Sequence, residues 1–437
     1  MPQRCAVLLF VLSSLQAFAS EEAPAVPGQL LVRFKDGVTQ SAMGNAFQLL
    51  GSNAAKKVTP ADPQLYLVDL PAGMDNASGL SLYNGLADVA LAEENFIYEA
   101  IGGRQPDDPR YSQLWGLPKI SAPFAWNFTT GDPSVVILAD TDTGAQYDHV
   151  DLTDTLSGRS NIWLNPGEIC DDGIDNDGNG YIDDCVGWDF PAGTPNPFDN
   201  NGHGTNTAGI MGAIGNNEIG VTGVNWNAQL MILRMGNGTP EDPFRESNII
   251  PAIDYGWQMG TRDGTHAVIN ASWGGRGRSA FIEAAIQRAN DADVLFVTAA
   301  GNNGTNNDQI AFYPCNYNIA NIICVANTKQ DDTLYEGTNP NVPSNWGPNT
   351  VHLAAPGTNI TSTFPGNRYV AYWGTSQASP HVAGTAGLVW SANPGLAMAD
   401  VKAAILNTVD PIDALADKVI TGGRLNADGA VESVLSK

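Results

Sequence analysis

Four short segments hold side chains that could cooperate in acyl transfer. They are Asp142-Thr143-Gly144, Asn201-Gly202-His203-Gly204-Thr205, Ala299-Ala300-Gly301-Asn302-Asn303-Gly304 and Gly374-Thr375-Ser376-Gln377-Ala378-Ser379-Pro380-His381. A serine hydroxyl is a poor nucleophile at neutral pH and needs a base beside it. His203 can take the Ser376 proton and later return it to a leaving amine. Asp142 can hold the imidazole in one tautomer and stabilise the transient cation. Ser376, at the start of a helical pattern, would carry unpaired backbone N–H groups close to the reacting carbonyl. Each segment alone is ordinary loop punctuation; the set, in the order Asp, His, Ser, is specific. The serine motif is not G-x-S-x-G, because Ala378 takes the final position, and this disfavours the nucleophile elbow of a serine esterase.

Such side chains need a scaffold that brings them together. Val135 to Ala139, Ala267 to Ile269, Val294 to Val297 and Ile322 to Ala326 are continuous apolar runs suited to buried parallel strands. Helical patterns intervene, for example from Phe281 to Ala289. The alternation predicts an α/β fold, a doubly wound, mostly parallel sheet flanked by helices. The four motifs fall at strand ends or helix starts, where open α/β sheets place their sites. Before them, residues 26–100 read as a small α+β unit. It has strands at Gln29–Phe34 and Leu65–Leu70, one helix around Ala46, Leu49 and Leu50, and a second reaching through Leu80, Leu86 and Val89. Residues 101–109, rich in Gly, Pro and Asp, read as an exposed linker. At the N-terminus, Arg4, the apolar run Ala6–Leu15 and Ala17-Phe18-Ala19 have the form of a secretory signal. The expected organisation is a signal peptide over 1–19, a small domain over 20–105 and the α/β domain over 106–437.

Together the motifs resemble the subtilisin-like serine proteases, the subtilases. The resemblance runs from about Asp107 to Gly422-Gly423-Arg424-Leu425-Asn426, and the 20–105 segment resembles the inhibitory propeptide of that family. It implies a fold of the subtilisin type and a secreted serine endopeptidase made as an autoprocessed zymogen. Its partners would be protein or peptide substrates and its own propeptide as intramolecular inhibitor. By carry-over, the Asn302 amide is the second oxyanion donor beside the Ser376 backbone. Ser272-Trp273-Gly274, within Asn270-Ala271-Ser272-Trp273-Gly274-Gly275, walls the S1 pocket, and Gly301 also belongs to the substrate-binding set. The spacing of Asp142 to His149-Val150-Asp151-Leu152 matches the family and favours Asp142 over Asp140 as the triad carboxylate. Three positions depart from the pattern: Asn206 stands where a second His is usual, Gln377 replaces the Met after the nucleophile, and Asp140 lies where a strand residue should be apolar. His149, His266, His352 and His381 are read as structural.

The densest acidic cluster spans Cys170 to Cys185. Asp175, Asp177 and Asn179 have the 1, 3, 5 spacing of an EF-hand-like loop, with the Tyr181 carbonyl next and Asp183 or Asp184 closing the shell. Hard oxygen ligands point to Ca2+. The resemblance alone implies a second Ca2+ site, from Asp151, Asn217 and the Ile219 and Val221 carbonyls. Removal of the signal leaves Cys170, Cys185, Cys315 and Cys324. An even number in an exported chain favours disulfides over free buried thiols, and of three pairings the local one, Cys170–Cys185 with Cys315–Cys324, is expected.

Composition sets the outer limits. The 437 residues include 21 Lys+Arg against 46 Asp+Glu, a net charge of −25, the wrong sign for phosphate recognition, so a nucleic-acid partner is excluded. Beyond the N-terminus no apolar run reaches the ~20 residues of a membrane span, so no membrane anchor is expected. A monomer is the default. The alternative reading is a catalytically inactive, calcium-dependent peptide-binding protein on a protease scaffold, against which the complete Asp142, His203, Asn302 and Ser376 set argues.

Overall fold

The computed structural model describes residues 25–52, 54–96, 102–337 and 342–435. The signal peptide expected over 1–19 lies outside the described residues. The chain divides into two units, Met1–Ile101 and Gly102–Lys437, each described by itself.

The first unit is a four-stranded antiparallel sheet in the order Ala54–Lys57, Leu65–Asp69, Ala25–Phe34, Val89–Phe96, with helices Gln40–Leu49 and Asn76–Asn84. Both helices start at side-chain caps: Thr39 Oγ1 accepts from Ala42 N–H and Asp75 Oδ1 from Ser78 N–H. Leu30, Val32, Phe34, Met43, Val68 and Tyr83 form its core. Val89, expected in the second helix, instead opens the last strand. The helix ends at Asn84 before Gly85, and Val89 and Ala92 then turn inward from a strand that is otherwise largely exposed.

The second unit is built on a nine-stranded sheet. Its order is Asp410–Pro411, Gly423–Arg424, Leu353–Pro356, Ile322–Thr328, Leu295–Ala299, His266–Ala271, Val136–Asp142, Leu230–Arg234, Gly187–Asp189. All pairings are parallel except the one between the Asp410–Pro411 edge and its neighbour. The strand Val136–Asp142 is buried along its whole length, because helices cover both faces. Leu138 and Val268 pack on one face with Ala208, Met211, Val382 and Ala386, from the helices His203–Gly212 and Thr375–Ala392. Ile137 and Ile269 pack on the other with Ile253 and Ile286, from Glu246–Thr261 and Ala280–Asp291. This is the doubly wound α/β architecture expected from the apolar runs. The segment read as an exposed linker is partly packed instead. Arg104 N–H donates to Pro123 O at 2.7 Å, the Arg104 guanidinium lies over the Trp226 ring, and Asp108 is buried. Cys170 is paired with Cys185 and Cys315 with Cys324.

Candidate active site

Each motif occupies an element end that aims its side chain at one cleft. Asp142 is the last residue of its strand and His203 the first of its helix. Asp199 holds that helix start: its carboxylate accepts from Gly202 N–H at 2.8 Å, Thr205 N–H at 2.9 Å and the Thr205 hydroxyl at 2.6 Å. Thr143 Oγ1 accepts from Gly204 N–H at 2.8 Å and donates to Asp199 Oδ1 at 3.0 Å, which locks the Asp142 turn to the His203 helix. His203 Nδ1–H then donates to Asp142 Oδ1 at 2.7 Å and lies 3.0 Å from Oδ2. Asp142 is fully buried, and its Oδ1 also accepts from Thr143 N–H at 2.7 Å. With the proton on Nδ1, the neutral imidazole keeps Nε2 as a base. Burial pulls the imidazole pKa down, but the Asp142 charge and hydrogen bond outweigh it and raise it to about 9.

Ser376 is the second residue of the helix Thr375–Ala392, which begins after Gly374 at φ +149. A Cβ on Gly374 would fall 3.2 Å from Asn302 Nδ2, so glycine lets the backbone pass the amide. Pro380 lies beyond the first turn and costs a helical bond: it has no N–H to give Ser376 O. The Ser272 hydroxyl donates to that carbonyl instead, at 2.9 Å. The Ser376 hydroxyl donates to Ser272 O at 3.1 Å. His203, Asn302, Ser376 and Gln377 line one open cleft, with Val342, Ala371, Tyr372 and Trp373. Asn302 follows the strand Leu295–Ala299. Its Oδ1 accepts from Thr375 N–H at 2.9 Å and from the Thr375 hydroxyl at 3.0 Å, so its orientation is fixed. Two of the departures from the family pattern meet here: Gln377 Nε2 donates to Asn206 Oδ1 at 3.3 Å.

Ser272 and Trp273 follow the strand His266–Ala271, and Trp273 Nε1–H donates to Thr141 Oγ1 at 3.0 Å. The Phe312 ring packs against both Gly274 and Gly301: a Cβ would meet Phe312 Cε1 at 2.4 Å on the first and 3.0 Å on the second. The remaining histidines have partners of their own. His381 Nδ1–H donates to Gln377 O and His352 Nδ1 accepts from Cys324 N–H. Burial lowers their pKa values to about 4 and about 3, so both rings are neutral. His149 meets Arg368 O and His266 meets Pro394 O.

In the acidic loop, Glu168, Asp175 and Asp177 bring carboxylate oxygens within 4.8 Å of one another. Asn179 stays close, with Nδ2 3.3 Å from Asp177 Oδ2. The Asp183 carboxylate accepts from Asp172 and Gly173 N–H, while buried Asp184 takes the Tyr255 hydroxyl at 2.6 Å and the Asn165 amide at 2.7 Å. Arg262 also pairs with Asp177. At the second locus, buried Asp151 accepts from Val221 N–H at 2.7 Å and from the Asn217 amide at 3.3 Å. Asp108 approaches the same loop by accepting from Asn216 N–H at 2.8 Å, and its Oδ1 is buried without a partner. Sequence reasoning missed Asp199, Thr375, Glu168 and Asp108. Asp199 left a signal, an acidic residue just ahead of a helix start; Glu168 lies just before the acidic loop, while Thr375 and Asp108 act on partners 73 and 108 residues away.

The Subtilase family profile matches residues 134–431, and the Fervidolysin N-terminal prodomain profile matches 14–95. Thermitase of Thermoactinomyces vulgaris is 33% identical over 332 residues, which cover 75% of this chain and 99% of thermitase. The thermophilic serine proteinase of Bacillus sp. (strain AK1) is 31% identical over 416 residues, 94% of this chain and 89% of that protein. Among solved structures, a chain described as proteases from Pseudoalteromonas arctica PAMC 21717 aligns with TM-score 0.58 and 28% identity, covering 75% of this chain and 99% of its own. The chain therefore belongs to the subtilase family of serine proteases and carries an N-terminal prodomain.

Proposed function

We propose that the protein is a secreted serine endopeptidase that works through Asp142, His203 and Ser376 and an acyl-enzyme intermediate, and that it is made as a zymogen which removes its own prodomain. The observation that carries this reading is the 2.7 Å bond from His203 to buried Asp142 at the edge of a cleft shared with Ser376 and Asn302. Rotation about the Ser376 Cα–Cβ bond turns the hydroxyl from Ser272 O toward His203 Nε2. The imidazole takes the proton as Oγ attacks the substrate carbonyl. Asp142 stabilises the imidazolium without itself becoming protonated. The Ser376 N–H, without an intrahelical acceptor in the first turn, and Asn302 Nδ2 receive the developing oxyanion. His203 then protonates the leaving amine, and a water repeats the cycle on the acyl-enzyme. An extended substrate segment would pair with the backbone beside Ser272-Trp273-Gly274, so main-chain bonds supply affinity.

Calcium fits as a structural ion at two places. Asp108 and Asp151 are buried carboxylates, pushed by burial up to about 6 and about 7, and the orphaned Asp108 Oδ1 lacks the positive partner such a group requires. Asp151, Asp108 and Asn217 would hold one ion. Glu168, Asp175, Asp177 and Asn179 would hold another, pinning the loop closed by Cys170–Cys185. An oxygen-only donor set suits Ca2+, which takes six to eight such ligands. Its contribution there is to neutralise carboxylates and stiffen the fold.

The test is fluorophosphonate labelling of wild type and Ser376→Ala, with casein hydrolysis and prodomain retention followed in parallel. Labelling and casein cleavage lost only in Ser376→Ala, with its prodomain still attached, is the expected result. A Ser376→Ala preparation that sheds its prodomain with no other protease present rules out self-cleavage.

A further inference from the structure

The strand that ends in Asp142 carries a second carboxylate that the proposed mechanism does not use. Residues 136, 138, 140 and 142 alternate onto one face, so Asp140 enters the layer between the sheet and the helices that begin at His203 and just before Ser376. It is 1% exposed. Asp140 Oδ1 accepts from Asn270 Nδ2 at 2.9 Å, and its Oδ2 lies 2.8 Å from Thr207 Oγ1. Thr207 sits one turn after His203 on the same helix. Asn270 in turn lies 3.0 Å from Ser272 Oγ and accepts from the Ser379 hydroxyl at 2.8 Å, and Ser272 donates to Ser376 O.

We propose that Asp140 is a positioning residue of the catalytic centre, a neutral carboxyl group that ties the helix of His203 to the helix of Ser376 through Thr207 and Asn270. The inference rests on the triad reading given above. The proton has a place in the geometry. Thr207 owns one hydroxyl proton but has three oxygens in reach, Asp140 Oδ2 at 2.8 Å, Gly204 O at 3.0 Å and, more distantly, His203 O at 3.4 Å. When Asp140 Oδ2–H donates to Thr207 Oγ1, the Thr207 proton is released to Gly204 O and both bonds form. When Asp140 is ionised, one of them is lost. The surroundings agree. Asp142 faces it from its own strand, His203 and Thr207 from one helix, Ser379 from the other, and Asn270 from the adjacent strand. Arg234, opposite Asp142 on the remaining neighbour, is taken by Asp189 and Asp242. Burial and the Asp142 charge both raise the Asp140 pKa.

The experiment compares Asp140→Asn with Asp140→Val in the mature enzyme, with kcat expressed per site titrated by a fluorophosphonate so that misfolded molecules are not counted. An asparagine can accept from Asn270 and donate to Thr207 as the neutral acid does; valine can do neither. Expected for Asp140→Val is a fall in kcat of about 10-fold or more with KM nearly unchanged. Expected for Asp140→Asn is recovery to within about 3-fold of wild type, with the acid limb of the pH–rate profile in place, because neutral acid and amide carry the same charge. Full activity in Asp140→Val overturns the positioning role. A kcat loss in Asp140→Asn as deep as in Asp140→Val, or an acid limb displaced downward, overturns the neutral carboxyl. If Asp140→Val yields no titratable sites, Asp140→Asn decides alone: a kcat loss beyond about 3-fold, or an acid limb displaced downward, overturns the neutral carboxyl. Failure of wild type to label at Ser376 strikes the triad reading instead, and is thereby distinguished.

Discussion

If Asn302 supplies an oxyanion donor, the cost of removing it and the cost of loosening it are both legible in its hydrogen bonds. Its Oδ1 is held by Thr375 N–H at 2.9 Å and by the Thr375 hydroxyl at 3.0 Å, so Nδ2 is aimed without help from substrate. Asn302→Ala removes a donor that acts where charge develops, for an expected loss of about 3–4 kcal/mol, or 10²–10³ in kcat, with little change in KM. Thr375→Val keeps the backbone bond but deletes the hydroxyl, which also accepts from Gly301 N–H at 3.1 Å. One neutral hydrogen bond is worth about 1 kcal/mol, so kcat should fall about 5- to 10-fold. Because Thr375 acts through Asn302, the valine should cost far less in the Asn302→Ala background, giving a coupling of about 1 kcal/mol in a double-mutant cycle. Single-turnover acylation of a chromogenic peptide ester, beside melting temperatures for all four proteins, isolates this from stability. A loss below about 5-fold in Asn302→Ala, a loss expressed in KM, or fully additive substitutions would refute the reasoning.

Further outcomes follow from the same contacts. EDTA should lower the melting temperature of Ser376→Ala by about 5 °C or more if Ca2+ is normally present at a hundredfold over its Kd, and Asp108→Asn should shrink that shift; an unchanged melting curve removes both ions from the account. The Asp142 charge outweighs burial and raises His203 from 6.5 to about 9, so kcat/KM should climb with pH toward that value, while the stability that the ion pair supplies, complete below 6.5, should be lost as pH rises through about 9; a flat melting temperature over that interval contradicts the pairing. If the prodomain is removed, the Arg104 contacts with Pro123 and Trp226 predict a mature N-terminus at or before Arg104, which terminal sequencing reads directly. The Phe312 ring against Gly274 and Gly301 should favour small residues at P1, and Phe312→Ala should raise kcat/KM for peptides with Phe there relative to Ala.

Much of the scaffold was legible because parallel strands buried on both faces are apolar along most of their length. Val136–Asp142, Leu295–Ala299 and Ile322–Thr328 are buried at every residue and stand out as runs. Strands with one or both faces wet left weaker traces. Ala54–Lys57 and Val89–Phe96 escaped notice, the second because only Val89 and Ala92 turn fully inward among charged neighbours. The chemical motifs were readable as words, since each is a local turn whose spelling depends on adjacent residues. The groups that hold them in place were not. Asp199 reaches Thr143 across 56 residues, Asp108 reaches Asn216 across 108, and Thr375 reaches Asn302 across 73. No local pattern encodes such a distance.

The same distinction explains why substitutions at conspicuous positions need not disturb the chemistry. Asn206 and Gln377 look like two independent departures from the family pattern, yet they share one hydrogen bond inside the cleft. A third departure, Asp140, is satisfied by Thr207 and Asn270. In each case a polar side chain in a dry layer is tolerated because its partner is polar as well, and an unpaired group there would cost about 1–3 kcal/mol. Both sets of bonds reach from the His203 helix toward the Ser376 helix, one directly and one through the sheet. His203 and Ser376, which the proposed mechanism brings together, belong to different helices, so their mutual geometry depends on whatever fixes one helix against the other. Apolar packing of Ala208 and Met211 with Val382 and Ala386 supplies contact but, being non-directional, does not by itself fix one register against sliding. Directional hydrogen bonds at Asn206 and Thr207, within one turn of the imidazole, restrict that sliding where a displacement of about 1 Å would cost about 100-fold in rate.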